Sequence, residues 1–312
     1  MRYLILGLGF LATHIAEYLT NQGEEVTVTY RNLERVKSIY AEILKARLVR
    51  LDPLNNIDEL RNLIASSDII VNTIGVIGEN ERELKIAHVE IPKKISEIIS
   101  ELQAKPMLIH ISAASATGLT GYVKEEEKHC EGVSPNLPYE ETKCEGEKIV
   151  YAKAKENDFP LAIIRPTFIY GKYGAHVHFV LMYWLARLGI IPSFNISFST
   201  ISAKHIAILV KTLAEAKPKG LYMYAHECKL IELEKLFELM AKGLGREKTI
   251  KLKLPTEFIP SSLKCALKYV GTQYDCSKIK ELIKDIDFDE TEVIENALFL
   301  DNLRKKGMLL ST

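Results

Sequence analysis

Tyr139 and Lys143 stand four residues apart in the stretch Tyr139-Glu140-Glu141-Thr142-Lys143. On a helix that spacing puts both side chains on one face. A neighbouring ammonium favours the phenolate and draws a tyrosine pKa toward working pH. Such a tyrosine can give a proton to a carbonyl, or take one from an alcohol, while a hydride moves to or from a nicotinamide. The same pattern recurs at Tyr151/Lys155 and Tyr274/Lys278, so position has to choose between them. Only Tyr139 lies between the expected fifth and sixth strands with a comparable stretch on each side, and it is the candidate acid/base.

A second group of residues has the chemistry of phosphate binding. Gly7-Leu8-Gly9-Phe10-Leu11-Ala12 is G-x-G-x-x-A, placed after an apolar run and at the start of a helical one. Gly7 permits a tight turn, Gly9 lets the backbone approach a pyrophosphate, and Ala12 allows close helix–sheet contact. The helix N-terminus would then present free N–H groups to the anion. The next strand ends in Thr29-Tyr30-Arg31-Asn32, without the acid that usually meets the ribose 2′-hydroxyl of NAD. Arg31, and Arg35 one helical turn further on, suit a 2′-phosphate, because a guanidinium offers a planar fork of donors. NADP(H) is therefore expected, with NAD as the alternative. His176-x-His178 has no third ligand nearby and reads as part of a substrate lobe, so no metal is expected. The stripe Phe179, Met182, Tyr183, Ala186 and Ile190 reads as core. Cys144 reads as packing.

The elements that must position these groups alternate along the chain. Strands are expected at Tyr3–Leu6, Glu25–Tyr30, Arg47–Leu51, Asp68–Thr73, Met107–Ser112 and Leu161–Ile164. Helices are expected at Leu11–Leu19, Leu33–Lys45, Ile57–Ala65, Ala87–Glu101 and Tyr139–Lys155. Short connections between them predict α/β architecture: a Rossmann-like, doubly wound parallel sheet with helices on both faces. After Arg165-Pro166 turn residues become denser, and a smaller α/β lobe is expected, with helices near Ser202–Glu215 and Leu230–Leu244. The dinucleotide domain is assigned to residues 1–169 plus about 196–219. The substrate lobe and C-terminal helices take about 170–195 and 220–312.

Composition narrows the partners. The chain has 312 residues, and its 41 Lys plus Arg balance 41 Asp plus Glu, so neither nucleic acid nor an acidic membrane surface is expected. At 47% hydrophobic and 26% charged it is an ordinary globular composition. The apolar runs fall short of the roughly 20 residues a bilayer span needs. The N-terminus reads as a first strand and not as a signal peptide. Residues 124–128 read as a solvated charge run. Cys130, Cys144, Cys228, Cys265 and Cys276 are odd in number and form no C-x-x-C pair. No disulfide framework or zinc ribbon is expected, and a reducing, cytoplasmic setting is the default.

The glycine loop, Leu51-Asp52, Val71-Asn72-Thr73-Ile74-Gly75, His110-Ile111-Ser112, Pro138 to Lys143 and Arg165-Pro166-Thr167-Phe168-Ile169-Tyr170-Gly171 together resemble an extended or atypical short-chain dehydrogenase/reductase, of the NAD-dependent epimerase/dehydratase type. The resemblance covers most of the first 215 residues, and it implies roles. Asp52 would bind the adenine amine, and Asn72 to Gly75 would line the cofactor's centre. Tyr139 would be the acid/base, and Lys143 would hold the nicotinamide ribose. Pro166 and Thr167 would sit against the nicotinamide. Three departures stand out: the glycine loop is one residue shorter than the usual extended form, Ala113 falls where the catalytic Ser or Thr is expected, and His88 stands where Asn is common. Ser112 and Ser115 flank Ala113 and are the substitute hydroxyls. The implied activity is an NAD(P)-dependent oxidoreductase or epimerase acting on a small polar molecule, such as a nucleotide sugar. The alternative is a catalytically silent NADP(H)-binding regulatory or accessory protein. Relatives commonly dimerise through the helices here expected at Ala87–Glu101 and Tyr139–Lys155, which implies a homodimer.

Overall fold

The computed structural model describes residues 1–78, 80–124, 137–255, 257 and 265–309. Most of the charge run at 124–128 and Cys130 lie outside the described residues. In chain order the first half comprises β1 (Arg2–Leu6), α1 (Phe10–Asn21), β2 (Glu25–Tyr30), α2 (Val36–Ile43), β3 (Arg47–Arg50), α3 (Ile57–Ala65), β4 (Ile69–Asn72), α4 (Glu81–Lys85), α5 (Ile91–Glu101) and β5 (Met107–Ile111). Then come β6 (Tyr122–Val123), α6 (Pro138–Asn157), β7 (Leu161–Pro166), β8 (Phe168–Tyr170), α7 (Val177–Arg187), β9 (Ile190–Ser193), β10 (Ser197–Ser202) and α8 (Ala203–Ala216). The chain continues through β11 (Lys219–Ala225), β12 (Leu230–Glu232), α9 (Leu233–Gly243), β13 (Ile250–Lys253), β14 (Gln273–Tyr274), α10 (Ser277–Leu282) and α11 (Glu290–Lys305).

Seven strands form one parallel sheet in the order β11-β7-β5-β4-β1-β2-β3. Its central strands are buried on both faces, and alternate residues serve different layers. Ile5, Val28, Val71, Ile109 and Ile164 share a core with α1 and α8. Leu4, Leu6, Ile70, Leu108 and Ile163 share the other with α3, α5 and α6. The strand order reverses between β1 and β4, and that switch point opens a crevice at their C-terminal ends. Gly7 follows β1 there and Thr73 follows β4, joined by a bond from Thr73 Oγ1 to the Leu6 carbonyl at 2.9 Å.

The remainder is built from short pairings: β8-β10-β12, β9 with β13, and β6 with β14. Four expectations need correction. The sheet runs past residue 219, because β11 pairs with β7 as its edge strand. Helix α2 is shorter than Leu33–Lys45, since Arg35 breaks it with φ at 54°. Residues Leu230–Glu232 are strand, so α9 begins only at Leu233. Finally, Cys228 and Cys276 form a disulfide with Cα atoms 5.6 Å apart, and Cys144 is also disulfide-bonded. Cysteine spacing along the sequence carries no information about such pairings, which depend on tertiary approach. Among the described residues no helix is long and apolar enough to cross a membrane.

Candidate active site

The glycine loop turns from β1 into α1 at the switch point. Gly7 has φ at 97°, and a Cβ there would meet Ile74 at 2.9 Å, so both conformation and space demand glycine. Its N–H donates to Thr29 Oγ1 at 3.1 Å, tying the turn to β2. Gly9 precedes α1 with no side-chain cap, and a Cβ there would meet nothing within 4 Å. That leaves an open, electropositive helix end. Ala12 is buried against the sheet, and Leu11 is half-buried. The Phe10 side chain turns inward instead, packing edge-on against His14, His176 and Phe179. Only its backbone remains for an anion. His176 and His178 belong to the same aromatic cluster, their rings stacked at 5.8 Å.

At the end of β2, Arg31 is exposed and its carbonyl accepts from Arg50 Nε at 3.4 Å. Asn32 Oδ1 accepts from Lys37 Nζ at 3.4 Å. Burial lowers the Lys37 pKa, and the charge of Arg31 lowers it further. Arg31, Lys37 and Arg50 thus form a basic cluster, with exposed Arg35 just before α2. Lys37 and Arg50 were not legible as site residues, because the sheet and the turn before α2 bring them there. Asp52 uses Oδ1 to accept from the Leu54 and Asn55 N–H groups, shaping the turn into α3.

The floor of the crevice is polar and buried. Asn72 is fully buried; its amide nitrogen meets His110 Nδ1 at 3.1 Å, and its Oδ1 accepts from the Ile74 N–H. An amide nitrogen only donates, so His110 carries its proton on Nε2, and that nitrogen has no partner among the described residues. Burial, then the Lys143 charge, pushes His110 down to about 3. Gly75 leaves space for Lys143: a Cβ there would lie 3.4 Å from Nζ.

Lys143 and Tyr139 both project from the first turns of α6. Lys143 is buried and donates to the Ile111 carbonyl at 3.3 Å. Burial pulls its pKa down to about 8, with Glu147 opposing. Its ammonium lies 6.0 Å from the centre of the Tyr139 ring. That ring also meets His88 edge-on at 5.2 Å. His88 reaches this place because residues Ile86–Glu90 form a π-helical turn between α4 and α5, a feature common at functional sites. His88 Nε2 accepts from the Val76 N–H at 3.3 Å, so its proton is on Nδ1, facing Thr142 Oγ1 at 3.0 Å. Burial, reinforced by Lys143, drives its pKa down to about 2. Gly146 explains the close fit, since a Cβ there would stand 2.0 Å from the His88 carbonyl oxygen.

Beyond β5, Ser112 is buried and its hydroxyl has no partner among the described residues. Ala113 is buried beside it, and Ser115 sits half-buried in the following 3₁₀ turn. The Tyr269 hydroxyl donates to Glu140 and lies 3.3 Å from the Ser115 carbonyl oxygen, while Lys268 Nζ meets Glu140 at 2.9 Å. These contacts draw the C-terminal region over the start of α6, and nothing in the sequence announced them. Pro166 closes β7, and the Thr167 hydroxyl donates to the Ala225 carbonyl at 3.3 Å. The two other Tyr-x-x-x-Lys pairs lie elsewhere. Tyr151 packs on Tyr222 beneath Gly220, and Tyr274 is buried against Tyr224.

Comparison with known proteins agrees with this arrangement. UDP-glucuronic acid 4-epimerase from Bacillus cereus, solved in complex with NAD, superposes with a TM-score of 0.77 at 18% identity, over 98% of each chain. UDP-N-acetylglucosamine 4-epimerase from the same organism gives 0.74 at 16% identity, over 97% of this chain and 98% of that one. dTDP-glucose 4,6-dehydratase from Bacillus anthracis, in complex with NAD, gives 0.74 at 15% identity, over 99% and 100%. Identities this low speak for the fold. A curated glycerol-3-phosphate dehydrogenase [NAD(P)+] from Limosilactobacillus reuteri is 25% identical over 135 residues, which are 42% of this chain and only 37% of the relative's length. The NAD dependent epimerase/dehydratase family profile matches residues 3–189. That match spans more than half of the sequence and contains the glycine loop, the Asn72 floor and the Tyr139–Lys143 helix, so the chain belongs to the NAD-dependent epimerase/dehydratase family.

Proposed function

We propose that the protein is an NADP(H)-preferring oxidoreductase or epimerase of a small polar substrate, with a nucleotide sugar as the leading class. The observation that carries this reading is the buried Lys143 ammonium, 3.4 Å from where a Cβ on Gly75 would lie and 6.0 Å from the centre of the Tyr139 ring, with a Ser112 hydroxyl that has no partner among the described residues. The residues present fit a dinucleotide: the space at Gly9, the uncapped end of α1 and the gap at Gly75 are what a pyrophosphate and a ribose require. A bound dinucleotide would supply the hydride donor or acceptor. Lys143 holds the nicotinamide ribose and favours the phenolate of Tyr139. Tyr139 moves the proton at its hydroxyl, and Ser112, or Ser115 from the following turn, orients the substrate oxygen. His88 packs edge-on against the Tyr139 ring and helps to hold it in place.

Nucleotide sugars are supported by the superposed epimerases and dehydratase, whose own substrates are of that class by name. A panel of nucleotide sugars, assayed by nicotinamide absorbance and by product stereochemistry, tests the reading. Tyr139→Phe should lose roughly 10²–10⁴ in rate while still binding the dinucleotide. Tyr151→Phe and Tyr274→Phe should stay near wild type. Near-normal turnover in Tyr139→Phe would place the chemistry elsewhere.

The basic cluster at the end of β2 supports NADP(H) over NAD(H). A charge-assisted contact of this kind is worth about 1.5–3 kcal/mol, roughly one to two decades in Kd. Arg31→Ala should lose that much affinity for NADPH and little for NADH; equal wild-type affinities by calorimetry would defeat the preference. The proposed homodimer uses α5 and α6, which pack side by side. Light scattering at 35.3 kDa under concentrated conditions would oppose it.

A further inference from the structure

Away from the Tyr139 site, Cys228 follows β11 and Cys276 precedes α10, 48 residues later. His226 is buried two residues before Cys228. Its Nε2 lies 3.1 Å from the Asp275 carbonyl oxygen. A carbonyl only accepts, so Nε2 carries the proton and Nδ1 keeps its lone pair. Nδ1 accepts from the Cys228 N–H at 3.2 Å. One ring nitrogen and the two sulfurs lie within 4.8 Å of one another. A cavity of about 320 Å³ opens onto the group, lined also by Tyr122, Ser199, Gln273 and Lys280. None of its lining residues belongs to the Tyr139 site.

We infer that this cluster is a redox-gated zinc site: oxidised, Cys228 and Cys276 form the disulfide; reduced, their thiolates and His226 hold one Zn²⁺ whose fourth position faces the cavity. The donor set is the argument. Zn²⁺ favours four-coordinate, tetrahedral thiolate and imidazole ligation, and three protein ligands leave a place for water. Ligating histidines usually give their other N–H to a carbonyl or carboxylate, as His226 gives Nε2–H to Asp275. The exchange balances. The disulfide accepts two electrons and two protons from a dithiol reductant, which itself closes to a disulfide. Zn²⁺ then displaces the two thiol protons as it binds. Nδ1 gives up one bond from the Cys228 N–H to take the metal. The inference does not depend on the oxidoreductase reading, because it uses none of the same residues.

The metal state also bears on the neighbouring turn. Tyr274, two residues before Cys276, packs with Ala114 and Val123, and β14 pairs with β6 just after the Ser112–Thr117 segment. Either a disulfide or a Cys–Zn–Cys bridge keeps that segment tied to the sheet edge.

The test uses the full chain. Wild-type protein is reduced, freed of reductant without air, and titrated with Co²⁺ and then Zn²⁺ against a chromophoric chelator. The expected result is a thiolate-to-cobalt absorption band displaced by one equivalent of Zn²⁺, absent from the oxidised protein. Reduced Cys228→Ser and Cys276→Ser should each take up one Zn²⁺ fewer than wild type. His226→Ala should lose more than the 10–100-fold that a merely supporting partner carries, with its thiol count unchanged. A reduced wild type without the cobalt band, or with the same zinc uptake as both serine variants, would overturn the inference.

Discussion

Glu147 and Glu227 are both withdrawn from water, and they are satisfied in opposite ways. Glu147, one turn behind Lys143 on α6, receives the Arg165 guanidinium on both oxygens at 2.6–3.2 Å. That guanidinium stacks near the rings of Tyr222 and Tyr224, at 5.0 and 5.4 Å. Glu227 has neither a lysine nor an arginine on it among these bonds. It accepts from the Tyr170 hydroxyl, the Thr200 hydroxyl and the Ser202 N–H, and meets His205 Nδ1, each at 2.9 Å. The first arrangement fixes one helix on one strand at a set distance. The second gathers β8, β10 and the start of α8, which lack long strand pairings to align them. A buried carboxylate can thus act as a clamp or as a knot, depending on whether one guanidinium or several groups from different elements converge on it.

The comparison breaks most visibly at the clamp. Glu147→Ala leaves a buried guanidinium without its carboxylate and should cost about 3–5 kcal/mol by denaturant unfolding. Joint replacement of Glu147 and Arg165 by methionine should recover most of that loss, because it removes both desolvation penalties. Recovery of nothing would mean that the pair sets the fold in some other way.

Acid tests the same half of the molecule through its neutral histidines. His14 and His110 are held near 3 and His88 near 2, each chiefly by burial. Their folded pKa values lie below the unfolded value near 6.5, so the unfolded chain binds more protons between those limits. Stability therefore rises with pH through that window and is lost as pH falls below 6.5. At pH 5 each imidazole should remove roughly 2 kcal/mol, at 1.36 kcal/mol per pH unit. A flat unfolding free energy from pH 7 to pH 5 would contradict the neutral, buried assignment.

The knot should resist substitution better. In Glu227→Gln the amide oxygen can keep the Tyr170, Ser202 and His205 contacts. The new NH₂ then faces Thr200, whose hydroxyl can turn to accept. A loss of about 1 kcal/mol is expected, and a loss equal to that of Glu147→Ala would erase the distinction between the two.

The clamp joins residues 18 positions apart and the knot joins three separate stretches, at Tyr170, at 200–205 and at Glu227, which is why neither showed in the sequence. What did show was local. Apolar runs of strand length, the two glycines before α1 and the four-residue spacing of Tyr139 and Lys143 are patterns that short-range geometry dictates. The basic cluster was half visible, through Arg31 and Arg35, whereas Lys37 and Arg50 needed the sheet. The cysteines misled, because an odd count without close spacing says nothing about which distant turns meet. The short strands of the C-terminal region have no periodicity to read, and their partners are chosen by tertiary approach.

The π-helical turn at Ile86–Glu90 makes the site depend on chain length as well as on composition. An α-helix advances about 100° per residue, and the wider turn absorbs one residue without carrying that rotation forward. It lets His88 point at Tyr139 while Ile91, Ile95, Ile98 and Ile99 face the sheet core. Deleting any one residue of the turn would let the segment relax into an unbroken helix, and one of the two faces would then swing away from its target. A single-codon deletion that leaves every named side chain of the site in the sequence should therefore disable it as surely as replacing one of them.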